Sequence, residues 1–281
     1  MKKSNPYFFV VPIAILIFGL TIYPTIYSFY LSLFSTKEGV TTKTFVGLNN
    51  FLDLFQSGTF WRSLFITCEY TIAVVFLETI LGFVIALLLK KINVGKTFFR
   101  LIFIVPLAIS PAIAGLTWRT MYNPSFGVIS YIFQSIGFEN LRWHTGPSTA
   151  LLSIILVDVW QWTPFVMIII YAGLLTIPDE LTEAALIDGC SKWKAFFRIS
   201  LPYIKPIVFI TLIFRTLDAL KQFDLIFVLT KGGPGRATET LVISSFIDAF
   251  YNFMLGRAAA ISIILLIISI IITQRILKRI L

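Results

Sequence analysis

The chain has 281 residues, of which 57% are hydrophobic and 16% aromatic, and its mean hydropathy is +0.89. A soluble domain of this length needs more polar surface to cover its core, so the composition excludes an ordinary globular protein. The formal net charge of +9 would suit a nucleic-acid-binding protein, but the basic residues are distributed in another way. The sequence predicts a polytopic membrane protein with no nucleic-acid partner.

Long apolar stretches recur along the chain in about six blocks. Most are close to the ~20 residues that an α-helix needs to cross a bilayer. The last block is short by this rule, so its helix is expected to begin near Asn252. We predict an all-α fold with about six transmembrane helices in a single domain over residues 1–281, with spans at about 8–34, 64–89, 101–121, 150–174, 206–229 and 252–274.

The first apolar stretch follows Lys2 and Lys3 and so imitates a secretory signal peptide. It continues past the ~15 residues of a signal-peptide core and no small-residue cleavage site ends it, so we expect a retained span. With the N-terminus inside, more than half of the 23 basic residues fall on inner segments, among them Lys90, Lys91 and Arg198. This bias predicts that both termini are cytoplasmic.

Several features argue against catalysis by this chain. Gly95-Lys96-Thr97 looks like the end of a phosphate-binding P-loop, but the pattern needs another glycine five residues earlier, where this chain has Lys90. Cys68 is predicted within the second span and Cys190 in the inner loop, and neither has a Cys or His neighbour at metal-ligand spacing. No clustered Ser/His, paired Asp or zinc-protease motif is present. We expect neither an enzyme nor a bound metal or cofactor.

The second span carries two carboxylates, Glu69 and Glu78. They lie about 13 Å apart along a helix, so they are not an adjacent pair. A carboxylate inside a membrane is a functional candidate by default. Either it carries protons, as in an ion-coupled secondary transporter, or it pairs with a charge on a neighbouring helix, and both alternatives stay open.

The large inner connection, about 175–205, is charged and helix-like. Pro178 suits the first turn of a helix, and Gly189 can end that helix in a left-handed conformation. Ser191 can cap a second short helix, which Pro202 is expected to stop. Two short helices hinged at a glycine are predicted, either as an amphipathic connector on the membrane surface or as a docking element for a cytosolic partner.

Two polar stripes flank this connection on the fourth and fifth spans. Helical spacing places three side chains of each stripe on one face, with Trp162 beside the first stripe. Such stripes are costly in lipid, so they are expected to face the bundle interior, where they either line a solute path or, as with Arg215 and Asp218, neutralise each other. The candidate substrate-path residues are Asp158, Gln161, Trp162, Phe165, Arg215, Asp218 and Gln222.

The inner connection resembles a known motif. Glu183-Ala184-Ala185, Gly189 and Ile199-Ser200-Leu201-Pro202 have the spacing of the EAA motif of ABC importer permeases, with Cys190 in place of the usual alanine. Three further segments are similar to the carbohydrate branch of that family, the maltose, trehalose and glycerol-phosphate permeases: 47–51, 223–240 and 256–260.

This resemblance implies a type I ABC importer permease of the prokaryotic inner membrane. Its partners would be a second homologous permease subunit, two ATPase subunits that hold ATP and Mg, and an extracytoplasmic solute-binding protein. The solute would be a disaccharide or oligosaccharide, with glycerol phosphate or a polyamine as the alternative. Coupling to the ATPase would involve Glu183, Ala184, Ala185, Asp188, Gly189, Ile199, Leu201 and Pro202.

Overall fold

The computed structural model describes residues 7–36, 43–92, 94–138 and 141–279; Lys2 and Lys3 lie outside them. The described part is mainly helical, with connecting loops and a short antiparallel hairpin in which β1 (Phe34–Ser35) pairs with β2 (Thr44–Phe45). In chain order the α-helices are α1 (Tyr7–Ile17), α2 (Tyr23–Ser32), α3 (Asn49–Gln56), α4 (Gly58–Lys91), α5 (Lys96–Ile104), α6 (Pro111–Met121), α7 (Val128–Ser135), α8 (Ala150–Leu175), α9 (Asp179–Ile187), α10 (Lys192–Ala195), α11 (Leu201–Leu220), α12 (Asp224–Thr230), α13 (Leu241–Phe250) and α14 (Leu255–Leu277).

Within the described residues, five helical segments are long and apolar enough to cross a membrane, and a bent helix pair provides a sixth. The prediction of an all-α polytopic membrane protein is confirmed. The five segments are Val10–Ser32, Gly58–Lys91, Ala150–Leu175, Lys192–Leu220 and Leu255–Leu277.

The third span, predicted as one stretch over 101–121, is a bent pair instead. Lys96–Ala108 and Pro111–Met121 meet at an angle of 94°. The backbone is extended at Ile109 and Ser110, because a residue before proline avoids the helical region and Pro111 starts a new helix at its first position.

The fifth span differs from the prediction of 206–229 at both ends. Its helix begins at Lys192 and passes through a π-helical turn, Phe196–Ser200, before it continues as α11 to Leu220. The helix therefore ends nine residues earlier than predicted, and α12 is a separate short helix after the break at residues 221–223. The break contains the polar residues Lys221 and Gln222, and the apolar residues that follow it in α12 make the span seem longer in the sequence than its helix is.

The chain folds into two compact units. The first unit comprises Met1–Ser63 and Ser244–Ile268, and the second comprises Leu64–Ile243 and Ser269–Leu281. The single domain over residues 1–281 stays a prediction.

In the first unit, two of the segments noted in the sequence meet. The Asn50 amide donates to the carbonyl oxygens of Ser32 (2.8 Å) and Phe34 (2.9 Å), which fixes the end of α2 against α3. At Gly256 an added Cβ would overlap the Phe34 carbonyl oxygen. Only glycine therefore allows α14 to start so close to this strand.

The second unit is built around α8. In the most apolar stretch of each helix, 67% of α8 is buried, compared with 28% of α4 and 11% of the fifth span. At Gly82 of α4 an added Cβ would lie 2.8 Å from Val166 Cγ1 and 2.9 Å from the Met167 backbone nitrogen, so the two helices are in close contact there. The apolar cluster that joins α4, α8 and α11 comprises Ala86, Leu89, Val166, Met167, Ile170, Tyr171, Leu174, Ile177 and Ile204.

Side-chain hydrogen bonds stabilise the loop that follows α12 in the second unit. The Thr230 and Thr238 hydroxyls lie 2.7 Å apart, and Thr238 also donates to the Gly233 carbonyl. Arg236 makes a bidentate ion pair with Glu239 at 2.6 and 2.7 Å. This hydrogen bonding accounts for the threonine- and glycine-rich composition of the segment 223–240.

Candidate functional site

A polar cavity of about 220 Å³ lies in the second unit, between α8 and the end of α11. Of the predicted substrate-path residues, five line it, together with Ala219 and Lys221. It is located where the fifth span loses its helical backbone. Non-helical backbone at membrane depth is tolerated where it lines a cavity. The five are Asp158, Trp162, Arg215, Asp218 and Gln222.

Arg215 is the centre of the charge network beside this cavity and is only 2% exposed. Its Nε and Nη2 donate to the two Glu78 carboxylate oxygens at 2.5 and 2.7 Å, and Nη2 also donates to Asp158 Oδ2 at 3.1 Å. The fork of the guanidinium matches a carboxylate in this bidentate geometry. Of the two alternatives for Glu78, the structure shows the pairing with a charge on a neighbouring helix.

Asp218 has a different main partner from the one that sequence spacing suggests. Arg215 Nη1 lies 4.0 Å from Asp218 Oδ2, beyond hydrogen-bond distance, whereas Lys221 Nζ lies 3.2 Å from Asp218 Oδ1. The two cations of the cavity are therefore held by separate carboxylates. A simple i,i+3 pair of Arg215 and Asp218 does not describe the site.

Trp162 contributes an aromatic surface to the cavity. The Arg215 guanidinium carbon lies 4.8 Å from the centre of its ring, a cation–π distance. Phe165 meets Trp162 edge-on at 6.1 Å but packs against the apolar cluster of α4, α8 and α11 rather than into the cavity.

Gln161 is buried outside the cavity. Its amide Nε2 donates to the Ile109 carbonyl oxygen at 2.6 Å. Ile109 is the extended residue between the two parts of the bent third span. Gln161 thus satisfies a backbone group that the break in the helix leaves open.

Two polar atoms of cavity-lining residues are buried without a hydrogen-bond partner among the described residues: Asp158 Oδ1 and Gln222 Nε2. The fully buried Tyr70 hydroxyl also lacks a partner of good hydrogen-bond geometry, but it lies beside Asp158 and is close enough to interact with that carboxylate as a hydrogen-bond donor. Buried polar atoms are usually satisfied, so unpaired ones beside a cavity indicate a place for a polar ligand.

Sequence reasoning missed Tyr70. Tyr70 and Glu78 are eight residues apart on α4 and hence on one helical face, which is the signal that connects them. Lys221 falls within the predicted fifth span, but in the structure it follows the last helical residue, and its ammonium reaches Asp218.

The predicted coupling segment contains α9, a tight turn and α10. Gly189 has a left-handed backbone with φ of +79°, and the Cys190 N–H donates to the Ala185 carbonyl oxygen at 2.9 Å. The Ser191 hydroxyl accepts from the Lys194 N–H as an N-cap. These observations confirm the predicted glycine turn and serine cap.

Pro202 does not stop the second helix, contrary to the prediction. The π-helical turn Phe196–Ser200 precedes it, and Pro202 lies in the first turn of α11, where it removes no required hydrogen bond. The structure leaves Glu183, Ala184, Asp188, Gly189 and Pro202 exposed, buries Ala185, and half-buries Ile199 and Leu201.

An aromatic group follows the turn. Trp193 and Phe197 stack at 6.1 Å and are 71% and 57% exposed. Phe196 contacts Phe83 of α4 edge-on at 5.6 Å. The segment is thus attached to the bundle on one side and presents a large aromatic surface on the other.

The fold and the cavity define a multi-pass helical membrane protein with a polar site among its central helices. Residues 79–281 match the family described as "Binding-protein-dependent transport system inner membrane component", and the chain belongs to that family. It is a permease subunit of an ABC transporter in the inner membrane, which confirms the resemblance noted in the sequence.

Curated relatives align over nearly the whole chain. The trehalose/maltose transport system permease protein MalF of Thermococcus litoralis is 38% identical over 94% of this chain and 90% of its own length. The sn-glycerol-3-phosphate transport system permease protein UgpA of Agrobacterium fabrum is 33% identical over 97% and 93%.

A solved structure has the same fold. It is a bacterial ABC transporter involved in the import of the acidic polysaccharide alginate, with a TM-score of 0.85, 22% identity, and coverage of 97% of this chain and 93% of that chain.

Proposed function

We propose that this chain imports a carbohydrate, a disaccharide or oligosaccharide, that a solute-binding protein delivers, and that a separate ATPase drives the cycle. The observation that carries the proposal is the family match over 79–281, which includes both the cavity and the coupling segment. The trehalose/maltose permease relative supports the solute class. The expected assembly contains a second, homologous permease subunit and two ATPase subunits that hold ATP and Mg.

The continuous helix from Lys192 to Leu220 supports a mechanical role for the coupling segment. It begins next to the exposed Gly189 turn and ends at the cavity, where it carries Arg215 and Asp218. A helix of 29 residues is about 40 Å long. One continuous helix, with a π-helical turn at Phe196–Ser200, therefore connects the exposed end to the cavity.

Closure of the ATPase shifts the transport equilibrium only if the ATPase binds one conformation of this segment better than the other. The exposed Glu183 carboxylate and the aromatic surface of Trp193 and Phe197 are the expected contacts.

The test is solute uptake into proteoliposomes that contain the complete complex and its binding protein. Uptake is expected to require ATP and Mg on the side of the ATPase. Uptake that is driven by a proton gradient without ATP would contradict the proposal and favour an ion-coupled transporter. Because Glu78 is paired with Arg215, Glu69 would then be the candidate proton carrier on α4.

The same assay tests the Gly189 turn. A Cβ at Gly189 meets nothing within 4 Å, so a substitution there acts through backbone conformation alone. Gly189→Val, a β-branched residue at positive φ, is expected to reduce uptake at least about fivefold, whereas Gly189→Asn, which tolerates this conformation, changes it little. The control is Gly137→Val at φ of +93°, also with nothing within 4 Å but far along the chain. Equal loss of uptake in both valine variants would remove the special role of Gly189.

Glycerol phosphate is the second candidate solute, and the UgpA relative favours it. Import of glycerol phosphate would use the same ATPase and coupling segment, so the choice between the two solutes depends on the cavity and the solute-binding protein.

A further inference from the structure

A second cavity of the second unit, of about 470 Å³, lies between α4, α5 and α8. This apolar cavity has no lining residue in common with the polar cavity beside Arg215. We propose that it binds one acyl chain of an anionic phospholipid from the predicted cytoplasmic leaflet, and that basic residues at the inner ends of α4 and α5 hold the phosphate group of that lipid. The proposal goes beyond the proposed function and does not depend on which solute is carried.

The lining of the apolar cavity suits a hydrocarbon chain. It is built from aliphatic and aromatic side chains, such as Leu81 and Ile85 of α4 and Phe103 of α5. Thr163 of α8 supplies the one hydroxyl group, and its Oγ1 has no hydrogen-bond partner among the described residues. A threonine hydroxyl in a helix can turn to the backbone carbonyl one turn earlier, so it does not require a polar ligand.

The bend in the third span explains why this space is open. After α5 the chain passes through a 3-10 helical turn, Val105–Ala108, and the extended Ile109, and the next helix leaves at an angle of 94°. Pro106 of this turn lines the apolar cavity, as does Pro164 of α8. Because α6 runs in another direction, no described helix of this chain fills the space beside α8.

The dimensions of the apolar cavity match one lipid chain. On α8 its lining extends from Leu156 to Met167, which is about 16 Å along a helix and about half of the ~30 Å hydrocarbon core. The mean cross-section is therefore about 30 Å², well below the ~80 Å² of a helix with its side chains. Ile102 and Leu156 are 50% and 40% exposed, so the cavity is open at its side. It admits a single chain from the bilayer rather than a helix of a partner subunit.

Two lysines lie next to the inner end of the apolar cavity. Lys90 Nζ donates to the Leu174 carbonyl oxygen at 3.0 Å, and Lys96 Nζ lies 5.6 Å from the centre of the Tyr171 ring. Tyr171 is one helical turn beyond Met167, which lines the cavity. Both ammonium groups are thus close to where an acyl chain would leave the cavity toward its headgroup.

Lys91 and Arg100 bring the number of cations at this end to four. Both are exposed, and Arg100 lies one turn before the cavity-lining Phe103. Among the described side chains, no carboxylate lies within ion-pair distance of Lys90, Lys91, Lys96 or Arg100. Basic clusters at the cytoplasmic ends of transmembrane helices attract acidic lipids, and basic pockets between helices bind their headgroups. The uncompensated charge therefore favours an anionic phospholipid over a zwitterionic one.

The test is photo-crosslinking of the complete complex in phosphatidylcholine nanodiscs that contain a small fraction of a lipid probe. The probe is phosphatidylglycerol or phosphatidylcholine with the same diazirine-bearing acyl chain, and the adducts are located by mass spectrometry. We expect the phosphatidylglycerol probe to label lining residues, such as Ile85 and Met167, at least about tenfold more than the phosphatidylcholine probe does. The phosphatidylcholine signal measures the labelling by unselected lipid around the protein.

A pair of charge substitutions tests the headgroup contact. Lys91→Gln combined with Arg100→Gln is expected to reduce the excess labelling by phosphatidylglycerol at least about fivefold and to leave phosphatidylcholine labelling unchanged. The matched control is Arg275→Gln combined with Lys278→Gln, which removes two exposed charges at the predicted cytoplasmic end of α14, away from the cavity lining. All four side chains are exposed, so both variants are expected to fold.

A larger side chain tests the position of the acyl chain. Ile102→Trp places an indole at the half-exposed edge of the apolar cavity, and labelling of the lining by both probes is expected to fall at least about fivefold. Ile113→Trp is the control, because Ile113 is 59% exposed on α6 and does not line the cavity.

Three results would overturn the proposal: equal labelling of the lining by the two probes, absence of adducts on the lining, or an excess that both charge variants reduce equally. Adducts that are absent because a partner subunit covers the groove belong to the second case. The ATP-dependent uptake assay decides the proposed function separately, since a carbohydrate importer without this lipid site would still require ATP.

Discussion

Arg215 is the residue around which the polar side chains of the second unit are arranged. A buried guanidinium inside a membrane protein is costly unless carboxylates and hydrogen bonds compensate it. Glu78 supplies two charge-assisted hydrogen bonds from α4, Asp158 supplies one from α8, and Trp162 covers the guanidinium at 4.8 Å. These contacts join three helices at one point and hold Arg215 in one orientation beside the cavity.

The Glu78 pairing leads to a stability prediction. Glu78→Gln keeps the side-chain size but leaves a buried cation with one carboxylate at hydrogen-bond distance instead of two. We expect the free energy of unfolding to fall by about 3 kcal/mol, the lower end of the range for breaking a buried ion pair.

The measurement is reversible unfolding in mixed micelles, with Glu69→Gln as the control on the same helix. Because Glu69 is exposed, its substitution should change stability by less than about 0.5 kcal/mol. Equal effects of the two variants would mean that the Glu78–Arg215 pair does not stabilise the bundle.

The sequence supplied the members of this site but not their pairing. Asp158, Arg215, Asp218 and Gln222 were identified because polar side chains at helical spacing stand out in an apolar span. Glu78 and Arg215 are separated by 137 positions, and no local pattern indicates which of several intramembrane carboxylates a distant arginine will meet. Sequence spacing favours Asp218, three residues away, as the partner of Arg215. The packing of α4 against α11 places Glu78 there instead.

At the scale of helices, the points at which a span breaks or ends determine where the site lies, more than the lengths of the helices do. The third span breaks at Ile109, where Gln161 binds the open carbonyl, and the fifth span ends at Leu220 beside the cavity. The spans themselves were predictable because hydropathy is a local property. The 94° bend and the helix that continues through Pro202 were not, because each depends on how neighbouring turns redistribute their hydrogen bonds.

The packing of α4 against α8 gives a second prediction. Gly82→Ala places a methyl group 2.9 Å from the Met167 backbone nitrogen, and a backbone atom cannot move aside as a flexible side chain can. We expect the free energy of unfolding to fall by about 1–3 kcal/mol, as for other overpacked sites.

Gly19→Ala serves as the control for this substitution. Gly19 also lies in a membrane-spanning helix, but its added Cβ meets nothing within 4 Å. The same micelle unfolding assay should show little change there or a small gain. If Gly82→Ala were equally harmless, α4 and α8 would have to lie farther apart than the structure places them.

At the scale of the whole molecule, the charge bias along the chain predicts which ends of the helices face the cytoplasm. The coupling segment is then cytoplasmic, as a contact with an ATPase requires. Since both termini are predicted on the same side, an even number of spans is needed, and the bent pair Lys96–Ala108 and Pro111–Met121 must count as one crossing.

Thiol labelling tests this topology directly, because the chain has two cysteines. In a Cys68→Ser variant the remaining Cys190, which is half-buried beside the Gly189 turn, is expected to react with a membrane-impermeant maleimide in inside-out vesicles and not in intact cells. Ser148→Cys, at an exposed position in the predicted outer loop before α8, should show the reverse pattern when it is added to a chain that lacks both native cysteines.

Labelling of Cys190 from outside would invert the orientation and place the Gly189 turn beyond the reach of a cytosolic ATPase. Labelling of both positions from one side would contradict a crossing by α8, because α8 is the candidate span that separates Ser148 from Cys190.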